Sequence, residues 1–151
     1  MATDYHTKPE VVFKKGELLP AIRASFSLPG LFMPVLYQDK ILIDGGMVNP
    51  LPYDLLNHKC DVTIAIDVAA TKPEREEILT MPASYEILFS SFQIMQSSIV
   101  NEKIKLSPPD LYIKTDIKGV RVHEFIKVQY ILEHSAQYKT KLKHKLESII
   151  E

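Results

Sequence analysis

The stretch Lys40-Ile41-Leu42-Ile43-Asp44-Gly45-Gly46 is the part of the sequence that decides the fold prediction. Its run of large aliphatic residues favours a strand covered on both faces, as in a parallel sheet. The glycine pair permits positive φ and close backbone approach, which a turn at the carboxyl end of such a strand needs. In open α/β sheets, ligands and catalytic groups collect at that end. The pattern therefore predicts a strand that carries the Asp44 carboxylate to a functional edge of a sheet.

Asp44 also has a simpler interpretation. Asp side chains commonly cap a turn or the start of a helix by accepting hydrogen bonds from backbone N–H groups. Asp-Gly-Gly alone favours that structural role, whereas the flanking segments in their order favour a functional one. These segments are Ala21-Ile22-Arg23-Ala24-Ser25-Phe26-Ser27-Leu28-Pro29-Gly30-Leu31-Phe32-Met33-Pro34-Val35 before it and Asn49-Pro50-Leu51-Pro52 after it.

With these segments, the chain resembles the carboxyl-terminal half of the patatin-like phospholipase domain. Shorter matches extend the resemblance to both ends: Thr3-Asp4-Tyr5, Val11-Val12-Phe13, Gly16-Glu17-Leu18, Pro109-Asp110-Leu111-Tyr112-Ile113 and the segment from Phe125 to Ile131. The resemblance implies an α/β fold of the three-layer α/β/α kind, in which a mainly parallel sheet has flanking helices. It also implies that residues 1–151 form a single partial patatin-like domain.

The resemblance assigns a catalytic role to Asp44. In patatin-like enzymes this Asp is one member of a Ser-Asp dyad, in which it deprotonates a serine that attacks the acyl carbonyl of a lipid ester. Gly45 and Gly46 shape its turn. A carboxylate has a reference pKa of about 4 and is a weak base in water, so the role requires a desolvated, hydrogen-bonded geometry. This chemistry implies no metal and no cofactor.

The nucleophile of that dyad is absent from the sequence. The family carries it in a Gly-x-Ser-x-Gly turn, and no glycine pair of this chain flanks a serine at that spacing. A glycine-rich oxyanion loop is also missing. Without the nucleophile and the oxyanion donors, we expect the chain alone not to hydrolyse esters. The expectation is therefore the back half of a lipid acyl hydrolase, truncated or separately expressed.

Three other polar residues are weaker candidates. Ser25 and Ser27 lack flanking glycines, so we assign them to capping and packing. Asp67 ends a second strand-like run, Asp61 to Val68. It could share a proton or a metal ion with Asp44, or it could accept hydrogen bonds from loop amides. We favour the loop amides, because the family assigns no catalytic role to this position.

Composition excludes several classes of protein. The formal net charge of −1 removes the electrostatic case for nucleic acid binding. A single cysteine, Cys60, excludes an intramolecular disulfide and fits a reducing compartment. No apolar stretch approaches the roughly 20 residues that span a bilayer, and Met1-Ala2-Thr3-Asp4 does not begin a signal peptide. We therefore expect a cytoplasmic protein, and a location at the periphery of a membrane is the alternative.

Periodicity predicts three helices. The first, Leu18 to Ser25, has Leu18, Leu19 and Ile22 along one face. The second, Ala83 to Leu106, has an apolar stripe so broad that it predicts burial on more than one side or an interface with a protomer, the missing half or lipid. The third, from about Val122 to Ile150, carries a lysine-rich face that favours solvent over an anionic membrane.

The expected partners follow from the prediction that this chain is half of a domain. We expect a lipid ester substrate in the complete domain, a membrane surface, and self-association or pairing with the missing amino-terminal half. Pairing is expected because sheet edges and apolar faces would otherwise stay uncovered. The rival hypothesis is a non-catalytic module that uses the patatin-like scaffold to bind a protein or a lipid.

Overall fold

The computed structural model of the chain describes residues 1–69, 81–117, 120 and 125–150. Strands and helices are mixed here and include a parallel strand pair with flanking helices, so the predicted α/β class is confirmed. The chain forms two compact units. The first comprises Met1–Pro52 and Ile94–Lys103, and the second comprises Tyr53–Gln93 and Ile104–Glu151.

The first unit contains a four-stranded sheet in the order β2-β1-β4-β3. Its strands are β1 (Ala2–Asp4), β2 (Glu10–Val11), β3 (Val35–Tyr37) and β4 (Lys40–Asp44). All of its pairings are antiparallel, so the parallel neighbours that we predicted for the Asp44 strand are wrong. The reason is a two-residue hairpin turn, in which Gln38 and Asp39 both have positive φ, of 47° and 60°. Such a turn can join only antiparallel strands.

Helix α1 (Leu18–Ser25) has the bounds that the sequence predicts, but the opposite face packs. Its buried residue is Ala24, which joins Ala2, Val35 and Leu42 in the core of the first unit. Leu18 and Leu19, on the other side of the helix, are 73% and 69% exposed. The small Ala24 side chain lets the helix approach the short sheet closely. The apolar face that we expected to be buried is therefore an exposed surface.

The second unit contains the parallel pair, β5 (Ile64–Asp67) and β6 (Leu111–Lys114). Ala65, Leu111 and Ile113 are its buried apolar strand residues. Tyr53 is also buried, and its hydroxyl donates to the Ser107 carbonyl at 2.7 Å. Strand β5 lies within the strand-like run from Asp61 to Val68 that the sequence predicts.

Two long helices follow the predicted segments. Helix α2 (Ser84–Leu106) has one fully buried residue, Val100, while Met95 is 53% exposed. The prediction of burial on more than one side is therefore wrong, because the described elements cover only part of the apolar stripe. Helix α3 (Val128–Ile150) follows a short 3-10 helix, Phe125–Lys127. Its predicted start at 122 lies outside the described residues. None of the helices in the described ranges has the length and apolarity needed to cross a membrane.

Candidate active site

Asp44 is the last residue of β4 and immediately precedes a 3-10 helix, Gly45–Met47. The Gly46 N–H donates a hydrogen bond to its Oδ1 at 2.6 Å. Its own backbone N–H donates to the Ser27 carbonyl at 3.0 Å, and its carbonyl accepts from the Thr3 hydroxyl at 2.9 Å. Asp44 therefore has the capping contact that the simpler interpretation predicts. The same contacts also hold its backbone from two neighbouring segments.

The two carboxylate oxygens of Asp44 differ in their surroundings. Oδ1 is held by Gly46, whereas none of the described residues donates a hydrogen bond to Oδ2. The side chain is half-buried, and this burial raises the pKa of Asp44 above its ordinary value, against the opposing effect of the Gly46 N–H. A carboxylate with a raised pKa is a stronger base. The geometry thus offers one oxygen that is fixed and one that is open to a donor.

Gly45 and Gly46 are required by close contacts. Positive φ is confined to Gly16 and Gly30 among the described glycines, so of the two reasons we gave for the pair, only close approach applies. A Cβ on Gly45 would lie 2.8 Å from the Met1 carbonyl oxygen. A Cβ on Gly46 would lie 2.6 Å from Gln96 Nε2 and 2.9 Å from Asp44 Oδ1. A side chain at position 45 would therefore meet backbone, whereas one at position 46 would displace the ends of the Gln96 and Asp44 side chains.

Helix α2 contributes residues to this turn that the sequence did not reveal. Gln96 Nε2 donates to the Gly46 carbonyl at 3.1 Å. Two turns later, Lys103 Nζ donates to the Leu51 carbonyl at 3.1 Å and to the side chain of Asn49. Buried Val100 lies between them on the same helix face. The signal that the sequence offered was a pair of polar residues, Gln96 and Lys103, seven positions apart within the otherwise apolar stripe of α2.

The remaining candidates have structural contacts. The buried Ser27 hydroxyl donates to the Arg23 carbonyl at 2.6 Å, and Ser25 is exposed, so neither forms a dyad here. Asp67 accepts from the Ala69 N–H at 2.9 Å and from the Tyr112 hydroxyl at 2.8 Å. Burial, followed by this bond, raises the pKa of Tyr112. The loop-amide interpretation of Asp67 is confirmed.

Comparison with known proteins gives consistent similarities. Residues 2–57, which include the Asp44 turn, match the family model for patatin-like phospholipase. An uncharacterised NTE family protein of Mycobacterium bovis is 33% identical over 72 residues, covering 47% of this chain and 12% of the relative. One from Mycobacterium tuberculosis gives the same values. A further NTE family protein of Mycobacterium bovis is 38% identical over 69 residues, covering 45% of this chain and 19% of the relative. The chain spans less than a fifth of the length of these curated relatives.

Proposed function

We propose that this chain, whose residues 2–57 match the patatin-like phospholipase family, supplies Asp44 as the base of a Ser-Asp dyad that hydrolyses lipid esters. The observation that carries the proposal is the half-buried Asp44 carboxylate, with Oδ1 held by Gly46 and a raised pKa. A cap alone needs one oxygen and no raised pKa. A general base needs an oriented carboxylate with an oxygen free to accept a proton.

The proposed reaction transfers the acyl group twice, first to the serine and then to water. Oδ2 of Asp44 accepts the serine hydroxyl proton while the serine oxygen bonds to the ester carbonyl carbon. The bond to the alcohol then breaks, and Asp44 returns the proton to the leaving oxygen. Water attacks the acyl-serine with the same assistance from Asp44, which releases the fatty acid and restores the serine. Burial supports the first step because it strengthens the base.

The serine of this dyad lies outside the present sequence in our proposal. No Gly-x-Ser-x-Gly turn occurs among residues 1–151, and Ser27, the serine whose backbone contacts Asp44, has its hydroxyl engaged with Arg23. We accordingly propose that a separate polypeptide segment supplies the nucleophile and the oxyanion donors. The chain alone is then inactive.

We also propose that the first unit associates with a second polypeptide, either another copy or the nucleophile-bearing segment. An exposed apolar surface supports this proposal. We call it the α1 surface, and its residues are Leu18, Leu19, Ile22, Phe26 and Phe32. The Phe26 and Phe32 rings contact each other with centroids 5.3 Å apart, which makes the surface continuous beyond the helix. Contiguous exposed apolar patches commonly mark interaction sites. We also propose that the protein is cytoplasmic and lies at the periphery of a membrane, because its proposed substrate is a lipid.

The test is an esterase assay with a short-chain p-nitrophenyl ester. It compares the chain alone, the chain extended by the upstream segment of its own gene, and the extended protein with Asp44→Asn. We expect hydrolysis only by the extended wild-type protein, because only that form contains both members of the dyad. Circular dichroism of each protein controls for folding.

Two outcomes would contradict the proposal. Hydrolysis that survives Asp44→Asn removes the catalytic role of Asp44. An upstream segment without Gly-x-Ser-x-Gly, or an extended protein without activity, favours the rival binding module.

A further inference from the structure

We propose that Gln96 is a positioning residue that holds the Asp44 carboxylate in its catalytic orientation, an inference that rests on the proposed function of Asp44. Gln96 lies on α2, which is remote in sequence from the Asp-Gly-Gly turn. Its side-chain amide donates to the Gly46 carbonyl at 3.1 Å, and Gly46 in turn donates its N–H to Asp44 Oδ1 at 2.6 Å. Gly46 therefore connects Gln96 to the carboxylate.

The connection matters because its central residue is a glycine. The Gly46 N–H and the Gly46 carbonyl belong to two different peptide planes, which are joined by the least restricted φ and ψ of any residue. Within the short 3-10 helix, a contact to one plane alone would constrain the other plane less. Gln96 fixes the second plane, so the N–H on the first plane keeps its direction toward Asp44 Oδ1. With Oδ1 fixed, Oδ2 keeps one orientation.

A side chain at position 46 could not replace this arrangement. A Cβ there would lie 2.6 Å from Gln96 Nε2 and 2.9 Å from Asp44 Oδ1. The amide and the carboxylate thus approach the same small volume beside Gly46. Glycine at this position is what allows the Gln96 side chain to reach the turn.

Other contacts of helix α2 hold Gln96 in place. On the same helix face, Val100 is buried, and Lys103 donates to the Leu51 carbonyl and to the Asn49 side chain. Asn49 is itself buried and donates to Glu10 Oε2 at 2.9 Å. One helix therefore holds the segment after Asp44 near both of its ends. Gln96 is the contact nearest to the carboxylate.

The experiment is an NMR pH titration of the chain, with the Gly46 amide proton as the probe. An amide that donates to a carboxylate moves downfield when the carboxylate ionises, so its shift against pH reports both the Asp44 pKa and the strength of the bond. Gln96→Met removes the donor and nearly conserves volume. Gln93→Met makes the same substitution one turn earlier on α2, at a side chain for which the structure describes no hydrogen bond.

We expect the Gly46 titration in Gln96→Met to have a smaller amplitude and a midpoint at higher pH, because a weaker hydrogen bond stabilises the ionised carboxylate less. Gln93→Met should reproduce the wild-type titration. Should Gln96→Met fail to fold, Gln96→Leu also lacks the donor and adds no titrating group, and a smaller Gly46 amplitude is expected there too. A wild-type Gly46 titration in the folded Gln96 variant would overturn the positioning role.

This result is independent of the proposed function, because it needs no esterase activity. If Asp44→Asn leaves hydrolysis intact, the proposed function fails while the NMR result still reports the Gln96 contact. In an active extended protein, Gln96→Met should lower kcat and leave KM unchanged, since Gln96 orients the base and touches no substrate. An unchanged kcat there would overturn the inference while Asp44 kept its role.

Discussion

At the scale of single residues, Asp44 has the capping role that its sequence context suggests, and its catalytic role stays a prediction. Oδ1 caps the 3-10 helix through Gly46, as an Asp at a turn commonly does. Half-burial raises its pKa, which a cap does not require. An amide side chain could make the same capping contact without the charge. Replacement by Asn therefore separates the structural role from the chemical one.

We predict that Asp44→Asn leaves the folded protein as stable as the wild type at neutral pH, or more stable by up to about 1 kcal/mol. The gain in stability is small because solvent screens the charge of a half-exposed carboxylate. The carboxyl pKa is raised in the folded state, so the ionised form opposes folding at pH values above both the folded and the unfolded pKa. Below the unfolded pKa the carboxyl is protonated in both states, and this contribution vanishes. Urea unfolding at about pH 3 and about pH 7 measures the difference.

The matched control is Asp61→Asn, at an exposed carboxylate in the second unit. If wild type were more stable than Asp44→Asn by well over 1 kcal/mol at neutral pH, the carboxylate would serve the fold rather than the chemistry.

At the scale of elements, helix bounds followed the sequence and helix faces did not. Helices α1 and α2 begin and end within one residue of the predicted segments. Their ends follow from local chemistry, since Pro29-Gly30 follows α1 and Pro108-Pro109 follow α2. Which face of each helix is buried depends instead on residues far away in sequence. For α2, the face that packs in the first unit carries Gln96, Val100 and Lys103.

We predict that Val100→Ala lowers the free energy of unfolding by about 1–2 kcal/mol, because it removes two buried methyl groups. Val100 is 3% exposed, whereas Ile94 on the same helix is 60% exposed. The control Ile94→Ala should therefore change stability by less than about 0.5 kcal/mol. Urea denaturation followed by circular dichroism measures both. Equal losses in the two variants would contradict the assignment of the packed face.

At the scale of the whole molecule, much apolar surface of the first unit stays exposed. The α1 surface has no cover from the described residues of its own unit, and β2 and β3 are the edge strands of the sheet there. Uncovered edges and apolar patches promote association between chains. The proposed second polypeptide would cover this surface in the complete assembly.

We predict that the purified chain shows concentration-dependent association in sedimentation velocity at micromolar concentration. Ile22→Glu should weaken the association, because it places a charge within the α1 surface. Ile126→Glu is the matched control, since Ile126 is 98% exposed and belongs to the second unit. A monodisperse wild-type monomer, or equal effects of the two substitutions, would contradict the prediction.

The sequence by itself determined the local features of this protein. The strand from Lys40 to Asp44, the glycine turn after it and the bounds of α1 and α2 follow from contacts among residues near in sequence. The mixed α/β class could also be predicted, since it depends on the succession of these elements. The candidate carboxylate, Asp44, was identified by its Asp-Gly-Gly motif together with the flanking segments in their order.

Only the tertiary structure decided the partners of those elements. The antiparallel pairing of β4 depends on two positive-φ residues, Gln38 and Asp39, that lack the Asn-Gly signal of such turns. The Gln96 contact joins residues fifty positions apart, and no local pattern specifies it. Hydrogen bonds and packing between distant segments arise only when the chain closes on itself. The physical reason is that local conformational preference fixes which element forms, whereas the shape of its neighbours fixes which face and which partner it uses.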